Sequence, residues 1–280
     1  MKHLRLTKFL YAHPVLAVLL PFLPALFVCF GLWYFEILNP FFTILLAAWL
    51  LLMLMLPVRA SFRSLLTYAR AKLERDCDPL AYLEDLTFMR RRRLPFSRQF
   101  TLDLHYGVGL DAAGRAGESY AWLEKCLPAL PRLTPPARFQ LYLALGSAAA
   151  HEKNGGEKLP ALIAELDKLL DEMRNLPPFY LLPMRAARDT VEDARRFHAG
   201  ELQGLRARYV DRVNAASLSP SARANRITAC LWLSRIYERE GEVTEARAMY
   251  AYVAENGGTM GAVAEAKEAL SHRFPIENAV

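Results

Sequence analysis

A chain of 280 residues with 53% hydrophobic and 23% charged residues has the balance of an ordinary globular protein, which excludes a disordered or collagen-like chain. Four cysteines (Cys29, Cys77, Cys126, Cys230) lie far apart with no C-x-x-C pair, which excludes a disulfide scaffold and a zinc ribbon. The net charge of +6 is concentrated: residues 59–98 hold ten basic and five acidic side chains, against 22 and 23 in residues 99–280.

In chain order, residues 14–35 and 40–58 are two runs without charge, each long enough to cross a hydrocarbon core as a helix. Asn39-Pro40 marks a turn between them, and Trp33, Tyr34 and Phe35 stand where an aromatic belt would meet the interface. The expectation is an N-terminal transmembrane helical hairpin over residues 1–58. Lys2, Arg5 and Lys8 precede the first run, and Arg59 and Arg63 follow the second. By the positive-inside bias, an integral protein of the plasma membrane with both termini in the cytoplasm is expected.

Residues 59–96 then read as a basic juxtamembrane linker. Phe62, Leu65, Leu66, Ala69 and Leu73 share one helical face, with Arg59, Arg63, Arg70 and Lys72 beside it, a pattern suited to anionic headgroups. A short acidic helix from Pro79 to Met89 ends in Arg90, Arg91, Arg92 and Arg93. That run suits a helix C-terminus and a solvated charge cluster, with anionic lipid as the second candidate. Without interleaved aromatics it is a weak footprint for nucleic acid.

Residues 97–280 show helical periodicity throughout and no strand pattern. Gly114, Gly155, Gly200 and Gly241 recur 41, 45 and 41 residues apart, each between two helical runs. This spacing predicts four helical hairpins at about 97–131, 137–175, 178–217 and 220–256, with residues 260–272 as a capping helix. Pro131, Pro135, Pro136, Pro177, Pro178 and Pro220 fall between them, where a missing N–H does least harm.

The stretch from Cys230 to Gly241 resembles a tetratricopeptide repeat. Leu233, the small Ser234, Tyr237 and the turn glycine Gly241 match the first helix of that family, and Ala246 and Tyr250 match the second. In the first hairpin Gly107 and Gly114 fit, while Leu123 replaces an aromatic. The resemblance implies an all-α, tetratricopeptide-like solenoid whose concave face, lined by the first helix of each hairpin, holds a peptide or protein.

Little in the chain points to chemistry. Residues 107–112 formally fit G-x-G-x-x-A, but they follow a helical pattern rather than a strand, so helix packing is the expected role. The histidines have no second ligand at metal spacing, and neither a nucleophile elbow nor a phosphate loop is present, so neither enzyme activity nor a cofactor or metal is expected. Arg185, Arg188, Arg195 and Arg196, which share a helix with Asp189, Glu192 and Asp193, read first as a solvated face laced by i, i+4 pairs and second as partner contacts; Trp232 in the last hairpin is a further candidate contact, with Trp232 or Tyr237 expected to pack between helices. The expected function is a membrane-anchored adaptor presenting a cytoplasmic groove. The alternative is an accessory subunit of a membrane enzyme or transport complex.

Overall fold

The computed structural model describes residues 62–152, 154–219 and 222–274, with seven single positions before residue 62 (Lys8, Tyr11, Phe27, Phe30, Ile44, Leu45 and Ala48). The chain divides into two compact units, Met1–Arg70 and Ala71–Val280.

The membrane expectation is corrected here. Among the described residues no helix is long and apolar enough to cross a membrane. The runs 14–35 and 40–58, and the orientation inferred from the cations around them, lie outside the described residues apart from five single positions. The two-span anchor, the integral-membrane assignment and its cytoplasmic orientation therefore have no support. Residues 62–74 are helical as expected, but Phe62, Leu65, Ala69 and Leu73 on their apolar face are buried, which removes that face from any lipid surface.

In the second unit every described element is a helix: α1 (Pro79–Arg90), α2 (Phe96–Ala112), α3 (Ala116–Glu124), α4 (Pro135–His151), α5 (Leu159–Glu172), α6 (Pro178–His198), α7 (Leu205–Ser217), α8 (Arg223–Glu240), α9 (Val243–Asn256) and α10 (Gly261–His272). Short 3₁₀ turns at Leu127–Arg132 and Gly155–Glu157 precede α4 and α5. Helix starts follow the sequence: Pro79, Pro135 and Pro178 each open a helix, where proline forfeits no bond. Asp78 caps α1 by accepting the Ala81 N–H at 3.1 Å. Gly241 ends α8 in the left-handed region at φ 81°, where a side chain would be strained.

Each helix from α1 to α10 packs on the next in solenoid-like order except α6 on α7, and α2, α4 and α6 also pack side by side. The pairs α2/α3, α4/α5 and α8/α9 are tight, whereas α6 and α7 stand apart. Close approach depends on small residues. A Cβ on Gly107 would lie 2.5 Å from the Leu123 side chain, and one on Gly155 would strike the Ala149 carbonyl. A continuous apolar core runs from Cys77 to Phe274, with Leu123, Leu141, Leu145, Leu166 and Ile236 wholly or nearly wholly buried.

The array also closes on itself. The Thr259 N–H donates to the Cys77 carbonyl at 3.0 Å, and the Thr259 hydroxyl donates to the Asp78 carboxylate at 2.8 Å. Beside them Gly261, at the start of α10, meets Gly114, at the end of α2. A Cβ on Gly261 would lie 2.2 Å from the Gly114 Cα. Backbone cannot yield as a side chain can, so Gly261→Ala is expected to lower stability by about 1–3 kcal/mol, read as a lower urea midpoint at unchanged slope. Gly261→Ala unfolding at the wild-type midpoint would show that the closure carries no stability.

Candidate functional site

Four helices meet at one buried aromatic cluster. Trp232 on α8, 5% exposed, stacks on His151 of α4 (centroids 5.7 Å, planes 30° apart) and on Tyr209 of α7 (6.2 Å, 30°). It also meets Phe197 of α6 edge-on at 5.3 Å, and the Arg235 guanidinium sits 4.7 Å from its ring. Trp232 is thus a core residue joining four helices and offers no surface to a partner, which corrects its place among the candidate contacts.

Next to it lies a polar centre that sequence reasoning missed. Asp111 of α2 accepts the Ser147 hydroxyl at 2.7 Å and faces His151 Nδ1 at 2.9 Å, both residues on α4. The only trace in the sequence is the Ser147/His151 spacing of one helical turn. Serine and histidine bind the same carboxylate, so histidine does not lie between the other two and this is no nucleophile relay. The arrangement locks α2 to α4. Across Trp232, Arg235 grips Glu265 of α10 through two bonds of 2.6 and 2.5 Å.

Burial alone would raise the Asp111 pKa, but the charge of His151 and the hydrogen bonds from His151 and Ser147 outweigh it and hold the pKa below the usual carboxylate value. A lowered folded-state pKa adds stability that is present above the unfolded value near 3.8 and is lost as pH falls through the folded value. Asp111→Asn is therefore expected to flatten the acid limb of the stability–pH curve below about pH 4, and to cost about 1.5–3 kcal/mol at neutral pH. An unaltered acid limb in chemical denaturation would refute the assignment.

Three of the four arginines of α6 are spent on intramolecular contacts. Arg188 holds Asp167 of α5 by two bonds of 2.7 and 2.8 Å. Arg195 pairs with Glu192 and Glu201, and Arg196 donates to the Gln203 carbonyl at 2.7 Å. Arg185 is exposed. Where α6 and α7 stand apart, Asp193 spans the gap: wholly buried, it binds Arg208 at 2.6 Å and Arg212 at 2.5 Å, both on α7. The Arg212 guanidinium lies 4.5 Å from the Tyr209 ring, whose hydroxyl burial pushes up to about 12. Above this bridge is an open cleft of about 630 Å³ lined by Arg188, Asp189, Glu192, Arg196, Arg208, Asp211 and Arg212. Arg208 and Arg212, one turn apart on α7, had the spacing to be recognised, but nothing in sequence placed Asp193 against them.

No family model matches the chain. Neither a curated protein nor a solved structure matches it. The tetratricopeptide assignment is corrected accordingly: what stands is a helical-repeat-like, all-α fold. The residues that carried it do sit at helix contacts. Leu233, Ser234, Ala246 and Tyr250 are buried, Tyr237 is 9% exposed, and the Tyr250 hydroxyl donates to Glu238 at 2.7 Å. Small and aromatic residues at these places serve any two closely packed helices, so they do not by themselves specify one family.

The basic collar also divides. Lys72 pairs with Asp85 at 2.6 Å, and Arg90 with Asp103 at 3.0 Å, so neither cation is available to a lipid surface. Arg63, Arg70, Arg91 and Arg93 are exposed, Arg92 is half-buried, and Arg59 lies outside the described residues. Residues 107–112 lie inside α2, where a Cβ on Gly109 would lie 2.8 Å from the Leu83 side chain, so their glycines serve packing rather than a dinucleotide. Among the described residues no three histidine, cysteine or acidic side chains come together for a metal.

Proposed function

We propose that this chain is a non-enzymatic protein-interaction module whose docking surface is the α6–α7 cleft together with the apolar rim at the start of α6. The supporting observation is the rim: Phe179, Tyr180 and Leu182 are 67%, 58% and 63% exposed, a concentration of large apolar side chains that a lone soluble domain seldom leaves in water. The Phe179 and Tyr180 rings lie 4.3 Å apart. At helical spacing Leu182 is followed by Ala186 and Asp189, both in the cleft lining, so the rim runs into the cleft wall. An apolar anchor beside directional charges is the usual make-up of a binding hot spot.

The test is a photo-crosslinking residue at position 182 of the full chain in cells, with one at the exposed Lys267 of α10 as control. A discrete adduct is expected from 182 but not from 267, and it should disappear with Phe179→Asp. Identical adducts from both positions, or none from 182, would reject the proposal.

A further inference from the structure

The apolar rim lies where α6 outruns its neighbour. α6 has 21 residues and α7 has 13, so about two turns of α6 extend past the end of α7. Phe179, Leu182, Ala186, Asp189 and Asp193 recur at helical spacing and form one stripe along α6. At Asp193 this stripe is covered by α7, whose Arg208 and Arg212 hold the carboxylate. At Asp189 and Ala186 it lines the open cleft, and at Leu182 and Phe179 it stands 63% and 67% exposed. The cover over one continuous face thus thins toward the N-terminus of α6.

The open length of the stripe, from Phe179 to Asp189, is about three turns, the reach of one short helix. Two charges along one edge of it bear on what that helix must carry. Arg185 and Asp189 stand one turn apart. Among the described residues Arg185 is the only arginine of α6 without an ion pair or hydrogen bond, since Arg188, Arg195 and Arg196 are engaged. The Asp189 carboxylate is 54% exposed and lies 3.4 Å from Arg188, a guanidinium that Asp167 already holds through two bonds. The edge therefore presents an unmatched cation and, one turn on, a weakly matched carboxylate.

We infer that the occupant of the docking surface proposed above is an amphipathic α-helix of the partner, a step that rests on that surface being the one used. Its apolar stripe lies on Phe179, Leu182 and Ala186, with an acidic residue at Arg185 and a basic residue at Asp189. The helix runs antiparallel to α6, in the direction of α7, whose connection meets Arg196 before Arg208 and Arg212 reach Asp193. In that direction the basic residue precedes the acidic one by one turn. Apolar contact supplies the affinity, and the two charges fix direction and register.

The experiment is fluorescence anisotropy of two labelled helical peptides of identical composition, titrated with the full chain. Both carry a leucine stripe at helical spacing. Along the matching edge one has lysine followed four residues later by glutamate, and the other has the two exchanged. The lysine-first peptide is expected to bind about fivefold more tightly. Arg185→Asp combined with Asp189→Arg, both at exposed positions, should invert that preference. Leu182→Asp should abolish the binding of both peptides. Equal affinities, a preference that the double exchange leaves unchanged, or no saturable binding below about 1 mM would overturn the helical occupant. A discrete adduct from position 182 alongside any of these results would leave the docking surface itself standing, so the two failures are distinguishable.

Discussion

Trp232→Ala is expected to cost about 3–5 kcal/mol, the largest loss from any single truncation in the second unit. The indole is packed by side chains from α4, α6 and α7 as well as its own helix, so its removal leaves a cavity that no one neighbour can fill. Loss of stacking on His151 and Tyr209 adds to the loss of buried area. Trp232→Phe should cost clearly less, because a smaller ring keeps part of the contact with Phe197 and Arg235. Urea unfolding followed by far-ultraviolet circular dichroism measures both. A loss below about 1 kcal/mol for Trp232→Ala would mean that the four helices do not depend on this residue.

The second large effect concerns Asp193 and is asymmetric. Arg208→Met combined with Arg212→Met leaves a carboxylate of zero exposure with no countercharge, and the expected cost is about 3–5 kcal/mol. Asp193→Asn leaves two guanidiniums whose side chains are 51% and 26% exposed, so water can solvate them in part. It should cost about 1–2 kcal/mol. The order of the two losses at neutral pH is the test. Equal losses would mean that Asp193 is as hydrated as its partners, and that α6 and α7 are not joined through a buried charge.

The helices themselves were legible in the sequence because their signals are local. Prolines mark the starts of α1, α4 and α6, and Gly114, Gly200 and Gly241 all adopt positive φ where the spacing placed turns. Gly155 was also found, but for another reason: it lacks a Cβ because the Ala149 carbonyl occupies that space. What the sequence misplaced depends on distant residues. Trp232 and the α6 arginines stayed among the candidate partner contacts because a single helix does not reveal what faces it across the array. The Asp111–His151 bond joins residues 40 positions apart, and the Tyr106–Trp122 ring pair takes Arg90 from a third helix. Periodicity predicts hairpins, but not that Trp232 would meet His151, 81 positions away.

The hydrogen bond between Thr259 and Asp78 joins positions 181 residues apart, and it has a bearing on how the molecule comes undone. Linear stacks of hairpins fray from their ends, and each unit melts nearly on its own. A stack whose first and last members hold each other has no free terminus from which to fray, so it should melt in a single cooperative step. It must also meet most of its chain-closure entropy before that late contact repays anything, which slows folding relative to an unclosed stack of equal length. Removing α10 would restore two free ends, and the single transition should then broaden into several.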